Sequence, residues 1–295
     1  MSADALWRRF LGQGEPQAAV PQDLGRRLKR VRLHATRRLT ASWAGAYRSA
    51  FKGEGIEFAG VREYLPGDDV RTIDWRVTAR TGRLAVRRYV EERNRTVLFL
   101  VDLGAGMVAG SGTRTLLEVA AEVVALVGSA AIAGGDRVAL SAWSDRQELV
   151  LTPRRSEASL LRMVRELLLV RQQGSPGNLT GALAEVPRLL RRPGVLVVVS
   201  PFLRSGYGPT LAALARRHEL LAVRVWDPRA GKGTATARVP ARDTAGRAGW
   251  GVAGAAPDAP DLNRVRAQVL TVAPDTLLAP ALANAFLARG RRRGV

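Results

Sequence analysis

A chain of 295 residues, 46% hydrophobic and 24% charged, can bury a sizeable core, which excludes general disorder and is compatible with one decorated α/β unit. No cysteine is present, so disulfides, thiolate zinc sites and cysteine nucleophiles are excluded, and two histidines leave little imidazole chemistry. The formal net charge is +20, and only Lys29, Lys52 and Lys232 of the 46 basic residues are lysines, so an arginine-studded surface should attract polyanions or acidic protein. Nucleic acid is the less favoured partner, because the charge is dispersed and aromatic residues are only 5% of the chain, few for base stacking.

Residues 1–21 are punctuated by Gly, Pro and Gln and read as a flexible N-terminus. The next stretch, PQDLGRRLKRVRLHATRRLTASW, spaces Leu24, Leu28, Val31, Ala35, Leu39 and Trp43 as one stripe of a helix with a basic opposite face. Such a helix can meet an acidic protein, a membrane surface or only solvent. His34 lies within it and His218 ends a second helix at Arg-Arg-His; both read as surface residues. The start, MSADALWRRFLGQG, has an acidic residue and no long apolar run, so it is not a secretory signal. VVALVGSAAIAGG falls short of the ~20 apolar residues that span a bilayer and reads as a buried helix. A cytoplasmic protein without a transmembrane segment is expected.

Residues 22–95 form the second part of the chain. Within REYLPGDDVRTIDWRVTARTGRLAVRRYVEERNR, Pro66 and Gly67 suit the centre of a type II turn, since proline presets φ and glycine accepts a positive one. Asp68, Asp69 and Asp74 lie near Arg71, Arg76 and Arg80 in sequence. Arginine-paired carboxylates have lowered pKa values, which suits a structural network better than acid/base chemistry. LAVRRYVEE alternates like a strand leading into VLFLVD, a small hairpin extension that buttresses the sheet.

Residues 96–295 alternate strands and helices. VLFLVD, RVALSAW, VLVVVS, LLAVRVW and QVLTV are short apolar runs suited to buried strands, with QELVLT an antiparallel neighbour or edge. TRTLLEVAAEVVALVGSAAIAGG, EASLLRMVRELLLVRQ, TGALAEVPRLLRR, PTLAALARRHE and APALANAFLARGRRR read as helices. The pattern predicts a doubly wound, mainly parallel sheet covered on both faces. Residues 229–261, rich in Gly, Ala and Pro, read as a flexible insert or loose hairpin.

Ligands gather at the carboxyl ends of such strands, near the switch point, which is where Asp102 should lie. The glycines after it satisfy a permissive dinucleotide fingerprint. Gly-Ser-Gly at 110–112 delays the next helix, however, and no acidic residue stands where a ribose would want one. A cation cage at strand tips would instead use Asp-x-Ser-x-Ser, a Thr and a further Asp. Here Asp102 and Thr180 are present, but Gly104 and Gly106 replace the serines and Pro201 replaces the aspartate. Even with Ser200 or Asp145 shifting in, one certain carboxylate is a poor Mg²⁺ site. These five residues read as a vestigial site, and no metal or cofactor is expected.

The run GEGIEFAGVREYLPGDDVRTIDWRVTARTGRLAVRRYVEERNRTVLFLVD resembles the signature of the bacterial family of domain of unknown function 58, attached to a von Willebrand factor A-like domain. The residues that carry the likeness are Glu57, Phe58, Arg62, Tyr64, Pro66, Gly67, Asp68, Asp69, Arg71, Ile73, Asp74, Trp75, Ala79, Arg80 and Gly82. The resemblance implies a von Willebrand A-like α/β sandwich, no enzymatic activity, and association with a MoxR-type AAA+ ATPase and an unidentified client in an adaptor or chaperone-like role. On this reading Arg71 and Asp74 hold the signature in shape and Trp75 anchors it in the core. The rival reading is a polyanion-binding protein, for nucleic acid or anionic lipid; a hydrolase built on the three aspartates is a third.

Overall fold

A computed structural model describes residues 41–51, 56–91, 94–108, 114–170, 177–227, 238–242, 248–252 and 267–292, with positions 259, 261, 262 and 265. The N-terminus and all but the last positions of the expected basic helix, His34 included, lie outside these residues. In chain order the elements are α1 (Ala41–Ala50), β1 (Ile56–Glu63), α2 (Trp75–Thr81), β2 (Ala85–Glu91), β3 (Thr96–Asp102), α3 (Leu116–Gly134), β4 (Arg137–Trp143) and β5 (Gln147–Arg154). There follow α4 (Glu157–Leu169), α5 (Leu179–Leu189), β6 (Val195–Ser200), α6 (Gly208–Arg217), β7 (Glu219–Val225), β8 (Arg238–Arg242), β9 (Ala248–Val252), β10 (Gln268–Val272) and α7 (Leu278–Arg292).

Six strands form the central sheet in the order β10-β7-β6-β3-β4-β5, parallel except for the edge strand β5, which runs antiparallel to β4. This is the predicted doubly wound, von Willebrand A-like arrangement. Its inner strands are continuous apolar runs because both faces are covered. Every residue of β6 is buried, and each such Val or Leu contributes roughly 1.5–3 kcal/mol over an exposed one. Chain order reverses between β3 and β6, so the crevice at their carboxyl ends is the switch point.

One face is covered by α1, α3, α4 and α7, the other by α5 and α6. The run read as a buried helix is indeed the core helix α3. Thr115 and Glu118 start it with a reciprocal capping box, and 15 of its 19 residues are buried. Tyr47 and Phe51 bring α1 against Phe286 of α7, with ring centroids 5.1–5.8 Å apart. The Tyr47 hydroxyl donates to buried Asp136 at 2.9 Å, whose other oxygen accepts the Arg95 N–H at 3.0 Å. Burial first, and then the Asp136 carboxylate, pushes the Tyr47 phenol well above its ordinary pKa.

The small hairpin extension is present: LAVRRYVEE supplies β2, which leads into β3 and pairs antiparallel with β1 in a separate two-stranded sheet, because the turn and α2 between them fold the chain back on itself. One expectation is corrected. His218 is not on the surface. It is 5% exposed, following Leu211 and Leu214 on the buried face of α6, and neither ring nitrogen has a hydrogen-bond partner among the described residues. Burial, then neighbouring Arg217, lowers its pKa. Inside the stretch 229–261, β8 and β9 form an antiparallel pair.

Candidate functional site

Two places carry the residues singled out by sequence. At the strand tips, β3 ends on Asp102 and β6 on Ser200, facing each other across the switch-point crevice. The Ser200 hydroxyl donates to Asp102 Oδ2 at 2.7 Å, and the Gly104 N–H donates to Oδ1 at 2.7 Å. The Phe202 N–H in turn donates to Ser200 Oγ at 3.0 Å. Burial raises the Asp102 pKa, and Ser200, the Gly104 N–H and Arg204 pull it back only in part.

The glycines make this closure possible. A Cβ on Gly104 would stand 3.0 Å from Asp102 Oδ1 and 3.1 Å from the Cα of Gly177. Gly177 sits at φ +74°, where an L side chain would be strained, and a Cβ there would also meet Asp102 Oδ1 at 3.0 Å. A Cβ on Gly106 would come within 2.9 Å of Leu203 and 3.5 Å of Pro201. Two glycine backbones therefore pinch the carboxylate while Pro201 and Leu203 cover Gly106. Phe202, between them, is held at φ +52° with its buried ring 5.4 Å from that of Tyr207.

Thr180 is exposed in the first turn of α5, and it is Gly177 that approaches Asp102 from this side. Asp145 is exposed and accepts from the Ser144 hydroxyl at 2.8 Å. Among the described residues, no group of three or more acidic or histidine side chains is placed to hold a metal ion.

The second place is the signature segment between β1 and β2. Pro66 and Gly67 form the expected turn, closed by the Asp68 N–H donating to Leu65 O at 3.0 Å, with Gly67 at φ +104°. Arg62 grips Asp68 with two hydrogen bonds, at 2.6 and 2.7 Å, and the Leu65 N–H adds a third to the same carboxylate at 2.8 Å. The Arg62 guanidinium, then the Leu65 N–H, lower the Asp68 pKa to about 2. Asp69 accepts the Arg71 N–H at 2.9 Å and caps the one-turn helix Val70–Thr72.

Asp74 caps α2. One oxygen accepts the N–H groups of Arg76 and Val77 at 3.1 and 3.2 Å, and the other accepts Arg87 Nε of β2 at 3.1 Å. The Val77 N–H is the largest influence lowering its pKa, followed by Arg87. The expected arginine partners are thus corrected: Asp68 and Asp74 pair with Arg62 and Arg87 from the flanking strands. The side chains of Arg71, Arg76 and Arg80 are exposed. Tyr64 donates its N–H to Leu84 O at 2.9 Å, joining the turn to the start of β2.

Trp75 does not anchor the segment in the core. It is 66% exposed at the first position of α2, and Leu65, Val70 and Leu84 are exposed by 60%, 62% and 46%. Ile73, Ala85 and Val86 fill the buried side instead, with an Ile73–Val86 bridge, and belong to neither cluster of the main core. The expectation that Trp75 anchors the segment missed this. A short helix with arginines at its second and sixth positions, preceded by an isoleucine that already takes the inner place, was the available signal.

A family profile described as "Protein of unknown function DUF58" matches residues 60–240. Uncharacterized proteins of Mycobacterium bovis and Mycobacterium tuberculosis are each 32% identical to this chain over 214 residues, 68% of it and 65% of their own length. The chain thus matches slightly less than two thirds of those relatives. Among solved structures it is similar to the conserved hypothetical protein BatB from Bacteroides thetaiotaomicron, at 16% identity and TM-score 0.46, covering 67% of this chain and all of that one.

An aerotolerance-related membrane protein from Bacteroides fragilis gives 14% identity and TM-score 0.43, over 68% of this chain and 100% of that one. The SpRpn10 VWA domain gives 13% and 0.43, over 64% and 94%. The cytoplasmic expectation is corrected by these likenesses, which include a protein described as a membrane protein. Leu116–Gly134 is by length and composition apolar enough to cross a bilayer, but it is buried in the core.

Proposed function

The chain belongs to the DUF58 family, and on that premise we propose that it is a non-enzymatic adaptor or chaperone-like assembly factor. It works with a MoxR-type AAA+ ATPase through protein–protein contacts and presents a client to it. The observation that supports this best is the set of four exposed apolar side chains, Leu65, Val70, Trp75 and Leu84, on a segment held in shape by Asp68, Asp69 and Asp74. Shaped apolar surface rimmed by charge is what protein recognition uses.

The strand-tip site takes no part on this reading. Asp102, Gly104, Gly106, Thr180 and Pro201 are the vestige of a cation cage whose remaining carboxylate has turned to hold its own loop. The three signature aspartates act as caps and ion-pair partners, which suits a structural role better than hydrolysis.

The test is to mix the protein with a purified MoxR-type AAA+ ATPase and follow complex formation by size-exclusion chromatography at moderate salt. A co-eluting complex is expected; separate elution at all salt concentrations sinks the reading. The charge of +20 favours a second reading, polyanion binding, in which affinity falls steeply and linearly in log salt and recovered material is nuclease-sensitive.

A further inference from the structure

The exposed face of the signature segment also carries information about what it meets. Ile73 bridges Val86 and the Asp74 N–H donates to Ala85 O at 2.8 Å, so the chain at Trp75 runs beside Leu84. On Leu84's other side, the Tyr64 N–H bonds its carbonyl and leads into Leu65. Trp75, Leu84 and Leu65 therefore come from three adjacent backbone rows, all solvent-exposed.

Close to them in sequence, Arg71, Arg76, Arg80 and Arg83 are all exposed and without an acidic partner among the described residues. Meanwhile Asp68 is taken by Arg62, Asp69 by the Arg71 N–H, and Asp74 by its helix and Arg87. Exposed Glu63 and Asp69, the latter bonded only to a backbone N–H, are the counterweights, two carboxylates against four guanidinium groups. The segment holds Asp68 and Asp74 in its own ion pairs and leaves an excess of exposed arginines beside an indole and two leucines.

We propose that this face binds an acidic segment of a partner protein that carries at least one large apolar side chain. The apolar anchor packs on Trp75 and Leu84, and its flanking carboxylates are held by Arg71, Arg76, Arg80 and Arg83. Arginine suits this role because its planar fork takes carboxylates bidentately and stacks on aromatic faces. A protein segment fits better than nucleic acid: the two leucines give a phosphate backbone nothing, and one exposed indole on this face is a short platform for bases. The inference rests on the adaptor reading and names the chemistry of its partner.

The probe is a phage-displayed library of random dodecapeptides panned against the full chain. Enriched peptides should carry an excess of Asp and Glu beside Leu, Phe or Trp. Their affinity should fall roughly 30-fold in Trp75→Ala, the loss typical of a tryptophan hot spot. It should fall at least about tenfold in the double variant Arg76→Ser/Arg80→Ser, since each truncation unpairs a carboxylate. Leu84→Ser serves as a second variant of the apolar row, and circular dichroism melting checks that every variant stays folded. Oligothymidylate binding should be unchanged in Trp75→Ala.

The proposal is overturned if no peptide enriches, if enriched peptides lack an acidic excess, if they bind Trp75→Ala equally well, or if oligothymidylate binding falls with theirs. Acidic peptides that need Trp75 without any complex with the ATPase would sink the ATPase partnership and leave this surface standing. A complex with the ATPase that ignores Trp75→Ala would do the reverse.

Discussion

The strand tips and the signature segment use carboxylates in opposite ways. Asp102 lies in a pinched crevice where burial raises its pKa and two donors, with the Arg204 charge, only partly compensate. Asp68 lies half-buried at the surface, where Arg62 and a backbone N–H bring its pKa down to about 2. A carboxylate that burial opposes is kept for local geometry, and its region is sealed by Gly104, Gly177 and Pro201. Carboxylates that pairing favours instead build a scaffold, one that leaves Trp75 and four arginines facing outward. Gly104 and Gly177 thus crowd the carboxylate where a ligand would sit in many open sheets, and the added segment exposes four large apolar side chains.

The largest expected effect comes from forcing the closed region open. Gly104→Val places methyl groups against Asp102 and Gly177, and such overpacking costs about 1–3 kcal/mol. Its melting temperature should fall by several degrees; an unchanged value would mean the crevice is loose. Next is Asp74→Ala, which removes the cap of α2 and the partner of Arg87 together. Thermal melting should drop by a few degrees, with Asp74→Asn recovering part of the loss.

The pH dependences should have opposite signs. Asp102 is raised above the unfolded carboxylate value, about 3.9, so its contribution is fully present below that value and is lost as pH rises through the folded one. Asp68 is lowered, so its contribution is present above the ordinary value and is lost as pH falls toward 2. In urea titrations across pH, Asp102→Asn should flatten the first trend and Asp68→Asn the second. The smallest expected signal is calorimetric: Mg²⁺ should give no binding tighter than about 1 mM, the weak end for protein cation sites. Tight binding abolished in Asp102→Ala would break the comparison.

Much of the central sheet was legible because parallel strands buried on both faces are uninterrupted apolar runs, as VLVVVS is, and helical patterns separate most of them. The turn at Pro66 and Gly67 was legible for a local reason, the demand of one backbone position for a positive φ. What escaped depends on contacts distant in sequence. Nothing near Gly177 announces that it will close on Asp102, and Arg87 pairs with Asp74 only because β1 and β2 come together. Trp75 was misread because the inner place was already taken by Ile73. His218 was misread although Leu211 and Leu214 put its position on the buried face, because the two preceding arginines suggested solvent.

The central claim is that recognition belongs to the signature segment and not to the strand tips. It is tested most directly by titrating one MoxR-type AAA+ ATPase with Trp75→Ala and Asp102→Asn side by side, both verified as folded. The account predicts that affinity falls at least about tenfold for Trp75→Ala, as for a tryptophan at an interface centre, and is unchanged for Asp102→Asn. Loss of binding in Asp102→Asn with full binding by Trp75→Ala would contradict it.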